Sequence, residues 1–301
     1  MKPLEYYFKK AKKEKWAIGQ FNFSDASQLE GIVEAAKVLE SPIILGTSEN
    51  ESRFLGLEQA VALKRIYQTK TGLPIFLNLD HGKSFERIKK AIEMGYDMVH
   101  FDGSKLPLEE NITATKEVVK YAKRFGALPA GRQVLVEGEI GIIGTDASKL
   151  YEEKFVLKFE NLTNPKEAAQ YVEETGIDYL AVSIGNFHGV SAKGNPNLNL
   201  EQLKEIKKIV KDIFLVLHGG SGILDRDIKN VIKLGIVKIN INTELRLAYT
   251  KTLKESLKKN PKEITPYKYL PEAIKAVQKV VEEKIRLFGS NKKFKNVKNH
   301  S

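Results

Sequence analysis

A closed barrel of eight alternating strands and helices is the fold this sequence predicts, and three observations predict it. Eight short apolar runs rich in β-branched residues recur along the chain, over 16–22, 42–46, 74–80, 97–102, 133–140, 178–184, 213–217 and 237–241. The stretches between them carry apolar residues at helical spacing, with Lys and Glu on the opposite faces. The 301 residues show no break in composition that would separate two domains, and that length suits one large (β/α)8 TIM barrel. A doubly wound open sheet is the competing arrangement.

Taken in order, the first run ends in Asn22, and Leu29, Ile32, Val33, Ala36 and Leu39 mark the helix after it. Asp25 and Gln28 are spaced as a capping pair at its start. The second run is followed by Ser48, the third ends in Asn78, Leu79, Asp80, His81 and Gly82, and the fourth in Asp102. Pro107 and Pro165 stand where a first helical turn begins. The fifth run holds Val136, Glu137, Gly138 and Glu139, after a Pro/Gly interruption over 127–133. A polar segment over 144–158 follows, too long for a simple turn and readable as a mobile lid. The sixth run leads to His188 and Gly189, and Leu203, Ile206 and Val210 mark the next helix. The seventh ends in His218, Gly219, Gly220, Ser221 and Gly222, and the eighth in Asn240, Ile241, Asn242 and Thr243. A helical extension over 262–289 completes the barrel unit, 1–290, and 291–301 is a basic tail expected to fray.

Composition narrows the classes. A hydrophobic share of 42% against 29% charged residues allows a sizeable core and excludes wholesale disorder. The absence of cysteine excludes disulfides and any thiolate nucleophile or metal ligand. The early charges leave no signal-peptide core, and no apolar run approaches the ~18 residues of a membrane span, so a soluble cytoplasmic protein is expected. The formal charge of +11 is scattered along helix-like segments, without the Arg-rich groove or aromatic platform of a nucleic-acid binder.

In a barrel the chemistry collects at the C-terminal strand ends. Of five histidines, His81, His188 and His218 lie just past the third, sixth and seventh runs. Three imidazoles at one mouth suit a divalent metal with an open coordination position, as at a catalytic Zn²⁺. His100 reads as a polar residue lining the barrel. Asp80 and His81 are adjacent on a strand, so their side chains are expected to diverge, one toward a metal and the other toward substrate. Asp80 is then an acid–base group or a carboxylate that orients a ligand histidine. Asp102 and Glu139 stand at the same mouth, for a second cation or as partners of Lys and Arg. Backbone N–H groups of Gly219, Gly220 and Ser221 form a nest for phosphate, at the strand pair where barrels hold phosphate. Asn240, Asn242 and Thr243 are placed to complete it. Lys193 and Arg246 either add charge there or are ordinary surface cations.

These residues resemble the class II, metal-dependent ketose-bisphosphate aldolases that cleave fructose or tagatose bisphosphate. The motifs that carry the resemblance run in order over roughly 3–290: AIGQFNFSD at 17–25, SPIILGTSE at 41–49, LDHG at 79–82, FDGSKLPLEENI at 101–112, VEGEIG at 136–141, HG at 188–189, LHGGSGI at 217–223 and KININTEL at 238–245. The resemblance implies Zn²⁺ held by His81, His188 and His218, with Asp80 as the catalytic acid–base and Asp102 and Glu139 at further cation positions, divalent or monovalent. It implies a dihydroxyacetone-phosphate site of Gly189, Gly219, Gly220, Ser221 and the segment Asn240, Ile241, Asn242 and Thr243, with Lys193 matched loosely; Asn22 and Ser48, at the ends of the first two runs, are further candidates for substrate contact. Residues near Asn242 and Arg246 are then placed to separate fructose from tagatose bisphosphate. Lys105 replaces a histidine common in that family, and the loop acid of the family falls on Asp146, Glu152 or Glu153 without a choice among them. A homo-oligomer, dimer or tetramer, is expected, with 262–289 available to a neighbouring subunit. Another zinc-dependent sugar-phosphate barrel enzyme and a non-catalytic sugar-phosphate binder are the competing functions.

Overall fold

The computed structural model describes residues 2–127, 133–144, 149–153 and 159–294. Asp146, most of the 127–133 interruption and the end of the basic tail lie outside the described residues. Eight parallel strands close into a barrel: β1 (Ile18–Asn22), β2 (Ile43–Ser48), β3 (Ile75–Gly82), β4 (Met98–Phe101), β5 (Leu135–Ile140), β7 (Tyr179–Val182), β9 (Phe214–Leu217) and β10 (Ile236–Ile241). The order around the barrel is β1-β10-β9-β7-β5-β4-β3-β2, so the closed sheet replaces the open alternative. Two further strands, β6 (Leu150–Tyr151) and β8 (Val190–Ser191), form a separate parallel pair that the sequence pattern does not reveal, because two residues carry no periodicity.

Period-two alternation sets what each strand aims into the barrel. Inward positions climb from Ile18 to Gln20 to Asn22, from Phe76 to Asn78 to Asp80, and from Leu135 to Glu137 to Glu139. The lower layer, with Ile18, Ile44, Phe76, Met98, Leu135 and Tyr179, is an apolar cluster. The upper layers are polar and equally buried, with Gln20, Asn78, His100, Glu137 and Lys238 at 0% exposure. The floor is sealed by α1 (Leu4–Glu14), an element not expected from the sequence, whose Phe8 ring lies 4.7 Å from that of Tyr179 and whose Tyr7 ring lies 5.8 Å from that of Phe76. Site chemistry is thereby confined to one end.

The outer layer is α2 (Ala26–Val38), α3 (Glu49–Leu55), α4 (Leu57–Thr71), α5 (Phe85–Met94), α6 (Leu108–Gly126), α7 (Pro165–Thr175), α8 (Leu200–Val210), α9 (Asp225–Leu234) and α10 (Thr243–Lys259), with α11 (Pro266–Tyr269) and α12 (Pro271–Phe288) closing the chain. The capping pair of α2 forms as expected: the Gln28 N–H donates to the Asp25 carboxylate at 2.9 Å, and the Ser24 N–H donates back to the Gln28 side chain at 2.8 Å. Pro165 opens α7, whereas Pro107 stands one residue ahead of α6 as its cap. The apolar stripe of α12, Ala273, Val277, Val281, Ile285 and Phe288, is buried within its own chain against α2 and α10, so this face of the extension is not available to a neighbouring subunit.

At Gly31 the backbones of α2 and α12 come close together. A Cβ there would stand 2.6 Å from the Ile274 carbonyl oxygen and 3.1 Å from the Val277 Cβ. Glycine inside a helix normally costs about 1 kcal/mol relative to alanine. Here the backbone contact reverses the sign, since overpacking a rigid interface costs about 1–3 kcal/mol. Gly31→Ala is therefore expected to lower the urea midpoint, and a raised midpoint would refute the close-approach account.

Candidate metal centre and substrate cleft

The site begins with a break in strand periodicity. Asp80 and His81 are consecutive in β3, so one should point inward and the other outward. His81 instead adopts φ 50°, and the pairing of β3 with β4 shifts register between Leu79 and Gly82. This corrects the expected divergence: both side chains turn to the mouth, and their ligand atoms fall within 4.8 Å of each other in a group with His100 and His218. A left-handed conformation at a non-glycine residue costs roughly 1–2 kcal/mol, a strain typical of functional positions.

Around His81 the other imidazoles gather. Its ring centroid lies 4.6 Å from His188, 4.7 Å from His218 and 4.6 Å from His100, while His188 and His218 are 6.1 Å apart. His100 is thus deeper in the cluster than a lining role requires. Its Nδ1 accepts the His81 backbone N–H at 3.1 Å, which leaves Nε2 the protonated nitrogen, facing Glu139 at 3.3 Å. The bond from the His81 N–H to Nδ1 lets His100 hold the strand break in place. His81 Nε2 and His218 Nδ1 face each other at 3.0 Å, and His81 Nδ1 faces Asp102 at 2.9 Å. His218 Nε2 lies 2.5 Å from Glu137, which also accepts from Lys238 Nζ at 2.8 Å.

Electrostatics follow from this packing. Burial would lower His81, but the charges of Asp80, Asp102 and Glu139, with the Asp102 hydrogen bond, outweigh it and push its pKa up to about 10. Burial, then the charge on His81, lowers His188 to about 3. Burial and the charges of His81, His100 and Lys238 hold His218 well below its ordinary value. Burial alone would raise Asp80, but His81, His218, Lys238 and His100 keep it well below the usual carboxylate range. Asp102 is held low in the same way by His81, whereas burial and the nearby Asp102 raise Glu139. Two neutral imidazoles beside one that carries a proton form a donor set that fits a divalent cation, which displaces such protons on binding. A buried Glu139 oxygen without a well-aligned hydrogen bond, in a second group with His81 and Asp102, fits a further cation position.

Asp80 is clamped by two amides. Asn22 Nδ2 donates to one oxygen at 2.9 Å and Asn240 Nδ2 to the other at 3.0 Å. Below them Asn78 donates to Gln20 and Gln20 to Asn22, a ladder down the barrel interior. On the opposite wall Ser48 caps α3, and Glu51 completes a capping box. Glu51 also accepts from Asn22 at 3.0 Å, Asn242 at 3.2 Å and Arg246 at 2.6 Å. Gly219 has φ 61°, and a Cβ there would run into the Phe187 carbonyl, so only glycine lets these two segments pass. The Gly220 N–H is used by the Asn240 carbonyl at 2.9 Å, and the Gly222 N–H by Glu244 at 2.6 Å, leaving a smaller nest than the glycines suggest. Ser221 Oγ accepts the Glu244 N–H, Ile241 is buried in β10, and Thr243 opens α10. Gly189 packs on the Tyr151 ring, next to the β6–β8 pair. Lys193 is exposed, and its backbone N–H bonds the Ser191 hydroxyl.

Two site residues escaped sequence reading. Glu137 shares its strand face with Glu139, and Glu51 completes the Ser-x-x-Glu spacing after Ser48; either spacing was a usable signal.

Comparison with known proteins places this barrel. The family model for class-II fructose-bisphosphate aldolase matches residues 2–293. The chain is 39% identical to the probable fructose-bisphosphate aldolase of Bacillus subtilis (strain 168), over 93% of its own length and 95% of that protein's. It is also 39% identical to the 6-phospho-5-dehydro-2-deoxy-D-gluconate aldolase of Bacillus licheniformis, over 96% and 95% of the two chains. Among solved structures, the YdjI aldolase from Escherichia coli K12 superposes with a TM-score of 0.80 at 33% identity, covering 98% of this chain and 100% of that one. The chain belongs to the class II fructose-bisphosphate aldolase family, a family of generally zinc-dependent carbon–carbon lyases. No helix among the described residues is long and apolar enough to cross a membrane.

The buried trio of His218, Glu137 and Lys238 yields a stability prediction. Glu137→Ala leaves the Lys238 ammonium buried without its partner, and such a break costs about 3–5 kcal/mol. Urea denaturation is expected to show that loss, with part of it recovered on adding Lys238→Met; an unchanged midpoint for the single variant would refute the pairing.

Proposed function

We propose that the chain catalyses reversible aldol cleavage of a ketose 1-phosphate, with fructose 1,6-bisphosphate the first substrate to test, yielding dihydroxyacetone phosphate and glyceraldehyde 3-phosphate. Tagatose 1,6-bisphosphate, which differs at one carbon, is the second reading. The observation that carries the proposal is the convergence of His81, His188 and His218 beside an Asp80 clamped by two amides. The names of the relatives support the aldol chemistry and differ in the sugar.

His81, His188 and His218 are the proposed Zn²⁺ ligands, and His100 is left out because its Nδ1 is taken by the His81 N–H and its Nε2 is turned to Glu139. When bound there, the ion supplies Lewis-acid polarisation of the substrate ketone. Asp80 accepts the C4 hydroxyl proton as the C3–C4 bond breaks and returns it in condensation, a contribution of about 10²–10⁴-fold. Asn22 and Asn240 hold its two oxygens and favour the ionised form that accepts the proton. Glu137 fixes the ring of His218 so that Nδ1 faces the mouth. Asp102 and Glu139 are proposed for a further cation. Gly189, Gly219, Ser221 and the segment from Asn240 to Thr243 hold the phosphate of the retained half, with Lys193 near it, while Asn22, Ser48 and Arg246 face the departing half. Glu152 and Glu153 remain the described choices for a loop acid.

Lys238 does not suit Schiff-base chemistry, since its ammonium is buried and paired to Glu137. Borohydride with dihydroxyacetone phosphate is accordingly expected to trap no lysine adduct. Chelation is expected to abolish cleavage in a coupled assay, and Zn²⁺ to restore it; full-speed cleavage by rigorously demetallated protein would sink the proposal. Asp80→Asn is expected to lower kcat by about 10²–10⁴-fold at unchanged zinc content by metal analysis. Undiminished turnover in that variant would remove Asp80 from the proton transfer.

A further inference from the structure

We propose that Glu51 cancels the charge of Arg246, so that the cleft reads the phosphate of the retained half of the substrate but is nearly indifferent to charge on the departing half. This inference rests on the ketose-phosphate reading and narrows its substrate class.

Glu51 sits in the first turn of α3 with 4% exposure. Both of its oxygens are spent on the mouth. One accepts from Asn22 at 3.0 Å and from the Ser48 N–H at 2.8 Å; the other accepts from Arg246 at 2.6 Å and from Asn242 at 3.2 Å. Four donors converge and no acceptor does, which is the surrounding of a carboxylate. The carboxylate has no hydrogen-bonding capacity left for a substrate, so it acts through its neighbours.

Barrel order fixes which part of the substrate meets it. The phosphate nest belongs to the ends of β9 and β10, and Asp80, which takes the C4 hydroxyl proton, ends β3. A chain anchored at the nest and cleaved beside Asp80 sends its remaining carbons toward the wall of β1, β2 and α3. Of the two guanidiniums hydrogen-bonded to that wall among the described residues, Arg87 donates to the buried Ser52 hydroxyl of α3, and Arg246, its side chain 30% exposed, pairs with Glu51. A free guanidinium there would favour a doubly charged distal phosphate over a neutral tail. Paired with Glu51, it offers N–H groups with almost no net charge. The two relatives named above carry different second anions, a phosphate in one and a carboxylate in the other. With Arg246 neutralised by Glu51, either is accommodated beside it.

The test is equilibrium binding by calorimetry to zinc-loaded protein at fixed salt. The probes are hexitol 1-phosphate and hexitol 1,6-bisphosphate, which lack the ketone and cannot be cleaved. Wild type is expected to bind both within about threefold. Glu51→Ala, or Glu51→Gln if the first folds poorly, is expected to prefer the bisphosphate by about tenfold or more, because it uncovers Arg246. Arg246→Ala, which uncovers Glu51 instead, is expected to shift the ratio about tenfold the other way. Loss of Asn22 positioning weakens both probes together and cancels in the ratio. A wild-type preference above about tenfold, or a Glu51 variant whose ratio stays within threefold of wild type, overturns the inference while leaving the ketose-phosphate reading standing. Binding of neither probe by wild type would overturn that reading and this inference with it.

Discussion

The site depends on one backbone distortion, the left-handed turn at His81. A regular strand presents alternate residues to opposite faces, so no regular strand could offer Asp80 and His81 to the same space. The φ of 50° and the register shift toward β4 solve that problem locally. The His100 ring, bonded to the His81 N–H, keeps the turn from relaxing. A roughly 1–2 kcal/mol strain is held in place by neighbours that are themselves buried. A buried carboxylate can therefore lie beside an imidazole cluster without a long loop to carry it.

The second constraint is charge. The barrel interior contains several ionisable groups with little or no exposure, and most of them are matched rather than isolated. Lys238 and His218 share Glu137, Asp80 lies between two amides, and His81 is flanked by acids. Removing charges from water is costly, and only close pairing compensates. The same pairing fixes which nitrogen of His218 faces the mouth, so electrostatic compensation and ligand orientation come from one arrangement.

Most of the fold was legible because it rests on repetition. Eight apolar runs marked the eight barrel strands to within a few residues at each end, and Asp25 with Gln28 marked the start of α2. What repetition cannot encode was missed: α1 under the barrel, and the two-residue strands β6 and β8. Positions 81, 188 and 218 were legible as a group because histidine is scarce and strand ends are recognisable. The involvement of His100 was underestimated, since its importance lies in a bond to a backbone N–H, which no spacing signals. Glu51 and Glu137 were overlooked for a related reason. Each looks like an ordinary acid in a strand or helix start, and only closure of the barrel brings it against partners 81 to 195 positions away.

The sealed floor has a consequence for traffic. With α1 and the apolar layer filling the lower end, the chamber is a cul-de-sac rather than a corridor. Among the described residues, the imidazoles are open to solvent and solutes from the upper end and closed from below. A molecule seated at that end shuts off the space behind it, because the closed floor offers no way past.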